Sequence, residues 1–197
     1  MTDFLSAFVG SASRAKMLRL FLFNGEAAFT ATEAAKRAQV TKAAARKEIS
    51  FLKRLGVVKT MPVSRAGKKE VGYGLNAESS HARILQIFVR DTSAVDHQEI
   101  VTRLRPAGRL KLVVASGSFV DDASSRVDLL IVGDALDERK LQTALRSVEA
   151  DLGRDLRYAA FLTDEFQYRM TIYDKLIRDV LDYPHRIFLD KLGVGQE

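Results

Sequence analysis

Residues 30–56, TATEAAKRAQVTKAAARKEISFLKRLG, constrain the fold more tightly than any other stretch of this chain. Thr30 followed three residues later by Glu33 is the pattern of a capping box. The hydroxyl and the carboxylate each satisfy a backbone amide that the first helical turn leaves open. A helix is therefore expected from Thr30 to about Ala38. Only Gln39 and Val40 remain before Thr41, which caps a second helix that Gly56 ends. Two short helices joined by so tight a turn form a helix-turn-helix. Upstream, residues 12–23 read as a largely buried helix closed by Asn24-Gly25, and Ala28-Phe29 as a short strand.

The second helix has two unlike sides. Ala45, Ile49 and Leu52 fall at i, i+4 and i+7, and Leu55 extends that apolar side toward the core. Arg46, Lys47, Ser50 and Arg54 point elsewhere, with Ala43 among them. A helix that enters a major groove needs such a side: donors that reach base edges and phosphates, and small residues that permit close approach. Thr41 and Lys42 at its start and Lys53 near its end are placed to meet phosphates. After Gly56 the period changes to that of strands, at 57–61 and 70–75. Between these lies a glycine-bearing hairpin tip carrying Arg65, Lys68 and Lys69. Residues 41–69 hold nine basic residues and one acid, Glu48. A merely solvated charged face is the plain alternative. The properly capped preceding helix and the basic hairpin tip weigh against it and describe a winged helix. Its hairpin would lie against the adjacent backbone or minor groove.

Charge is distributed unevenly. The net charge of the chain is +6, yet residues 1–80 carry 14 basic and 6 acidic side chains and residues 81–197 carry 17 and 19. All the basic excess lies in the first part, as expected of a nucleic-acid-binding half joined to a half that does something else. No apolar run approaches the roughly 18 residues of a membrane span, and no signal peptide is read at the start. With no cysteine, disulfides, thiolate metal sites and cysteine nucleophiles are excluded. A cytoplasmic protein without membrane contact is expected.

Residues 11–90 resemble the ArsR-type winged-helix transcriptional regulators. The likeness rests on SRAKMLRLFLF, TATEAAKRAQVTKAAARKEISFLKRLGVVKT and GYGLNAES, above all on Ile49-x-x-Leu52-x-x-x-Gly56-Val57-Val58. It implies binding to double-stranded DNA, usually as a homodimer on a two-fold operator. Metal-sensing members carry cysteine or histidine clusters. Here His81, His97 and His185 are far apart in sequence and cysteine is absent, so no metal and no cofactor is expected.

The rest of the chain alternates between periods. A helix over 80–90 precedes a boundary near 92–96. Helices are expected at 97–105, 137–152, 163–170 and 173–181, and strands at 110–115, 128–132, 156–162 and 185–189. Apolar strands between helices indicate a sheet covered by helices. Tyr158, Phe166, Tyr168 and Tyr173 read as core or interface residues. Residues 112–132, LVVASGSFVDDASSRVDLLIV, are similar to the opening of minimal nucleotidyltransferases of the polymerase-β superfamily. That family places Gly-Ser at a strand end and Asp-x-Asp on the next strand, with a third acid on a later one. The carboxylates hold two divalent cations that activate the attacking oxygen and stabilise the leaving group. Gly117-Ser118 and Asp128 match. Arg126 stands in the first acid position, and 156–162, LRYAAFL, contains no acid. Asp155 lies just outside that strand, and Asp121 and Asp122 are replacement ligands that no spacing supports. The resemblance thus implies a nucleotidyltransferase-like domain without catalysis, with Gly117, Ser118, Arg126 and Asp128 as candidate nucleotide-binding residues.

The expected architecture is α+β. A winged helix-turn-helix domain over 1–92 precedes a small α/β nucleotidyltransferase-like domain over 97–197. The expected function is transcriptional regulation through duplex DNA, the second domain serving nucleotide sensing, protein-partner binding or dimerisation. The alternative is an active nucleotidyltransferase that modifies a protein or RNA and is targeted by the winged helix.

Overall fold

Ser11, Thr30 and Thr41 each stand one residue before a helix and accept a first-turn amide, from Arg14, Glu33 and Ala44 respectively. These caps start α2 (Ala12–Phe23), α3 (Ala31–Arg37) and α4 (Lys42–Arg54). The computed structural model describes residues 3–92, 96–120, 122 and 124–196. It is a mixed α+β chain with two separate sheets. Among the described residues, no helix is long and apolar enough to cross a membrane.

In the first sheet, β1 (Ala28–Phe29), β2 (Val58–Arg65) and β3 (Lys68–Leu75) lie in the order β1-β3-β2. The β2–β3 hairpin is longer than its sequence pattern suggests. Arg65 opposes Lys68, which leaves Ala66 and Gly67 as a two-residue turn with both φ values positive. Such turns follow the twist of the flanking strands. Around this sheet pack α1 (Phe4–Phe8), α2, α3, α4 and α5 (Ala82–Thr92). Because residues 17–22 of α2 are all buried, Arg19 needs an internal partner, and it donates to both oxygens of Asp3. Ala45, Ile49 and Leu52 face this core as expected. Leu55 does not: it is 54% exposed, because the helix closes there and the chain turns away through Gly56 at φ +70°.

The second sheet contains β4 (Arg109–Ala115), β5 (Leu129–Asp134), β6 (Tyr158–Leu162) and β7 (Arg186–Asp190), in the order β6-β5-β4-β7. β4 runs antiparallel to β5 and β7, and β5 runs parallel to β6. Leu112, Val114, Leu130 and Val132 pack on Phe166 of α8 (Thr163–Thr171) and on Ile177 and Val180 of α9 (Lys175–Leu181). Val113, Ala115, Leu129 and Ile131 are buried on the opposite face. Hence both central strands read as unbroken apolar runs. α6 (His97–Leu104) precedes the sheet, and α7 (Glu138–Leu152) joins β5 to β6. Of the four aromatic residues singled out above, Phe166 is core, Tyr158 is half-buried, and Tyr168 and Tyr173 are exposed.

Two compact units result: residues 1–95 with 146–154, and residues 96–145 with 155–197. Residues 146–154, which span the second half of α7, group with the first unit rather than the second. In that unit Lys16 pairs with Asp151 at 2.9 Å, and Asn24 donates to the Gly153 carbonyl at 2.6 Å. A Cβ on Gly153 would lie 2.5 Å from the Arg19 backbone. Helical periodicity shows which residues of α7 are apolar, not which core each one joins.

Candidate nucleic-acid interface and the Asp128 cluster

Lys42, Arg46, Lys47, Ser50, Lys53 and Arg54 are all exposed on α4, with Thr41 at its cap. The side chains of Lys42, Arg46 and Lys47 make no ion pair or hydrogen bond among the described residues. Lys53 lies 5.7 Å from the Tyr73 ring centre and Arg54 lies 5.8 Å from that of Phe51. Each places its cationic end over an aromatic ring and stays exposed. The one acid of the segment, Glu48, is turned inward. It is 3% exposed and accepts from Arg14 Nε at 2.8 Å, and that guanidinium also sits 4.1 Å over the Phe51 ring. Burying the carboxylate with its own cation removes the only negative charge of α4 from the exposed side. The inward position of Glu48 follows from its place three residues after Ala45 and four before Leu52, but no local spacing reveals Arg14, 34 residues earlier.

The hairpin tip divides its three cations. Lys68 and Lys69 project from the exposed start of β3. Arg65 is engaged: Nε meets Glu33 Oε1 at 2.6 Å, and Nη2 reaches Glu33 Oε2 at 3.3 Å and the Ala28 carbonyl at 3.1 Å. Glu33 also accepts the Thr30 amide at 2.8 Å, completing the capping box. The Arg65 hydrogen bond, aided by the Thr30 amide, holds the Glu33 carboxyl down to about 2. Arg65 therefore ties the hairpin to the start of α3. The capping box is legible in sequence; the second use of Glu33 is not.

In the second unit, Asp128 is 1% exposed at the start of β5. Its Oδ1 accepts from the Ser118 amide at 2.8 Å, the Ser118 hydroxyl at 2.6 Å and Arg157 Nη2 at 3.3 Å. Its Oδ2 accepts from the Arg157 amide at 2.8 Å and Arg157 Nε at 3.2 Å. Burial works against ionisation here. The Arg157 side chain, the Ser118 hydroxyl and the two amides overcome it and hold the carboxyl below the usual carboxylate range. Gly117 has φ +53°, and a Cβ there would fall 2.5 Å from Asp128 Oδ1. Glycine is thus required both by conformation and by the close approach of the carboxylate. The neighbouring serines are spent too, since Ser116 and Ser125 each donate to the Val127 carbonyl at 2.7 Å.

Gly117, Ser118 and Asp128 are therefore brought together as the sequence suggests, with Arg157 added. Arg126 is held elsewhere, paired with Asp179 of α9 at 3.1 Å. Asp121 lies outside the described residues. The cluster does not fit two divalent cations. A carboxylate offers about four lone-pair positions, and five donors already converge on Asp128. No group of three or more His, Asp or Glu placed to hold a metal ion occurs among the described residues. What the cluster does chemically is join the end of β4, the start of β5 and the approach to β6.

Compared with family models, curated proteins and solved structures, the chain finds no match.

Proposed function

We propose that this chain is a duplex-DNA-binding transcriptional regulator whose second unit is not catalytic. In this reading α2, α3, α4 and the β2–β3 hairpin form a winged helix. α4 enters the major groove, Arg46, Lys47 and Ser50 face base edges, and Lys42, Lys53 and Arg54 meet phosphates. Lys68 and Lys69 follow the neighbouring backbone as the wing, and Arg65 fixes the angle of the wing instead of touching DNA. The observation that carries the reading is the exposed side of α4: six donor side chains with no acid among them, the single acid being folded inward onto Arg14. A face that is only solvated gains nothing from segregating its acid in this way.

The regulator acts as a homodimer. Phe4, Phe8, Ile84 and Ile87 form an exposed apolar face on α1 and α5, with Phe8 67% and Ile84 68% exposed. Phe4 stacks on Phe8 at 6.0 Å, and Phe8 packs on the partly buried Phe88 at 5.2 Å. Clustered aromatic and aliphatic residues of this kind mark an association surface, and a second copy on a two-fold axis matches a palindromic operator. Asp128, closed by Ser118 and Arg157, is a structural carboxylate in a nucleotidyltransferase-like sheet.

Selection from a random-sequence duplex pool, followed by fluorescence anisotropy on the enriched duplex, tests the reading. Affinity should fall linearly in log–log form as salt rises, because bound Lys and Arg release counterions from the phosphates. No enrichment, and no duplex binding at low salt, would overturn it.

A further inference from the structure

Sheet edges present unpaired amides and carbonyls, and folded chains blunt them with charge, proline, irregular pairing or short length. Three of the four edges here follow that rule. β1 has two residues, and β2 carries Lys59, Pro62 and Arg65. β7 begins with Arg186, ends with Asp190, and pairs with β4 through a shifted register between Val113 and Val114. The fourth, β6, reads YAAFL. It has no charge, no proline and an unshifted register along β5. Its first four residues are half-buried and Leu162 is 53% exposed.

The direction of its free groups follows from the ladder. The Arg157 carbonyl accepts from the Leu129 amide at 3.2 Å. Alternation along a strand then turns Ala159 and Phe161 toward β5, and turns the amides of Tyr158, Ala160 and Leu162 and the carbonyls of Tyr158 and Ala160 to the open side, the Leu162 carbonyl serving the first turn of α8.

We propose that β6 is a second self-association edge, joining two copies of this chain antiparallel about Ala160. The segment is complementary to itself. A two-fold axis through Ala160 sets Tyr158 opposite Leu162 on one face and Ala159 opposite Phe161 on the other, large against medium and small against large. Just outside the pair, Arg157 comes opposite Thr163, so no like charges meet. The outward amides of all three residues and the carbonyls of Tyr158 and Ala160 come into register, and two four-stranded sheets become one continuous sheet. The contact uses residues of the second unit, and the α1–α5 face uses residues of the first. A chain that makes each contact with a different copy forms assemblies larger than a dimer and lets one bound dimer recruit the next.

The test is mass against concentration for the full chain, by light scattering and sedimentation velocity. Ala160→Pro removes an amide that β5 does not use, a change that edge strands tolerate. Leu162→Lys places a charge at an exposed position of the same edge. The wild type should pass beyond two chains as concentration rises. Each β6 variant should stop at two, with the higher association weakened about tenfold or more and the melting temperature held within a few degrees. Ile84→Asp, which attacks α5, should also stop at two, and its combination with Leu162→Lys should give monomers. If both folded β6 variants keep the wild-type mass at every concentration, the proposal is overturned. If Ile84→Asp alone leaves the mass unchanged, the α1–α5 dimer fails while the β6 contact stands or falls on its own variants.

Discussion

The exposed side of α4 and the Asp128 cluster are equally rich in polar chemistry and opposite in availability. On α4, Lys42, Arg46 and Lys47 reach solvent with no acid beside them. Around Asp128, every oxygen of the carboxylate is filled by donors from the same unit. The difference lies in burial and pairing, not in residue type. A buried charge must be satisfied inside the fold, since desolvation is otherwise too costly, and once satisfied it has nothing left to offer a ligand. An exposed charge keeps its water until a partner replaces it.

Asp128→Ala should break this contrast most severely. It removes the acceptor for two amides, a hydroxyl and the Arg157 guanidinium, and leaves a cavity beside the Gly117 turn. A loss of about 3 kcal/mol of stability is expected, read as a shift in the urea midpoint. Duplex affinity of the folded protein should not change. A stable Asp128→Ala protein would mean that the cluster is not structural.

Arg46→Ala combined with Lys47→Ala tests the other side. Affinity for the selected duplex should fall by about 2 kcal/mol or more, while the urea midpoint stays within about 0.5 kcal/mol of the wild type. Lys68→Ala with Lys69→Ala should weaken all duplexes more evenly and flatten the salt dependence. Equal duplex binding by the Arg46/Lys47 variant would remove α4 from the interface.

Acid should expose the Glu33–Arg65 tie. The folded-state value of Glu33, about 2, is depressed below the ordinary 4.5. The stabilisation is therefore fully present above about pH 4.5 and is lost as pH falls through the folded value. Thermal midpoints of wild type and Glu33→Gln should differ at pH 6 and converge on the way to pH 2. A gap that persists at pH 2 would assign the effect of Glu33 to something other than its charge. Asp128, also held below its ordinary range, should lose its contribution in the same direction.

The smallest effect is expected at the hairpin tip. Ala66 has φ +48° beside Gly67 at φ +78°, a turn that favours asparagine at its first position. Ala66→Asn should raise stability by under about 1 kcal/mol, with DNA binding unaltered. A lower melting temperature would show that the alanine methyl has a packing role.

Local chemistry was sufficient for much of the first unit. The Thr30–Glu33 box, the Thr41 cap, Gly56 and the 45/49/52 spacing involve residues within one or two helical turns, so their order in the chain is already their order in space. For the same reason the apolar runs of β4 and β5 were legible, whereas Gly117-Ser118 and Asp128 were linked only through the resemblance to nucleotidyltransferases. What only tertiary structure decided are pairings across long separations: Arg14 with Glu48, Arg65 with Glu33, Arg157 with Asp128, Arg126 with Asp179, and residues 146–154 with the first core. Each depends on which elements pack together. A charge in sequence carries no mark of the partner that packing will bring to it, so whether it is a ligand contact or a structural tie is settled only when burial is.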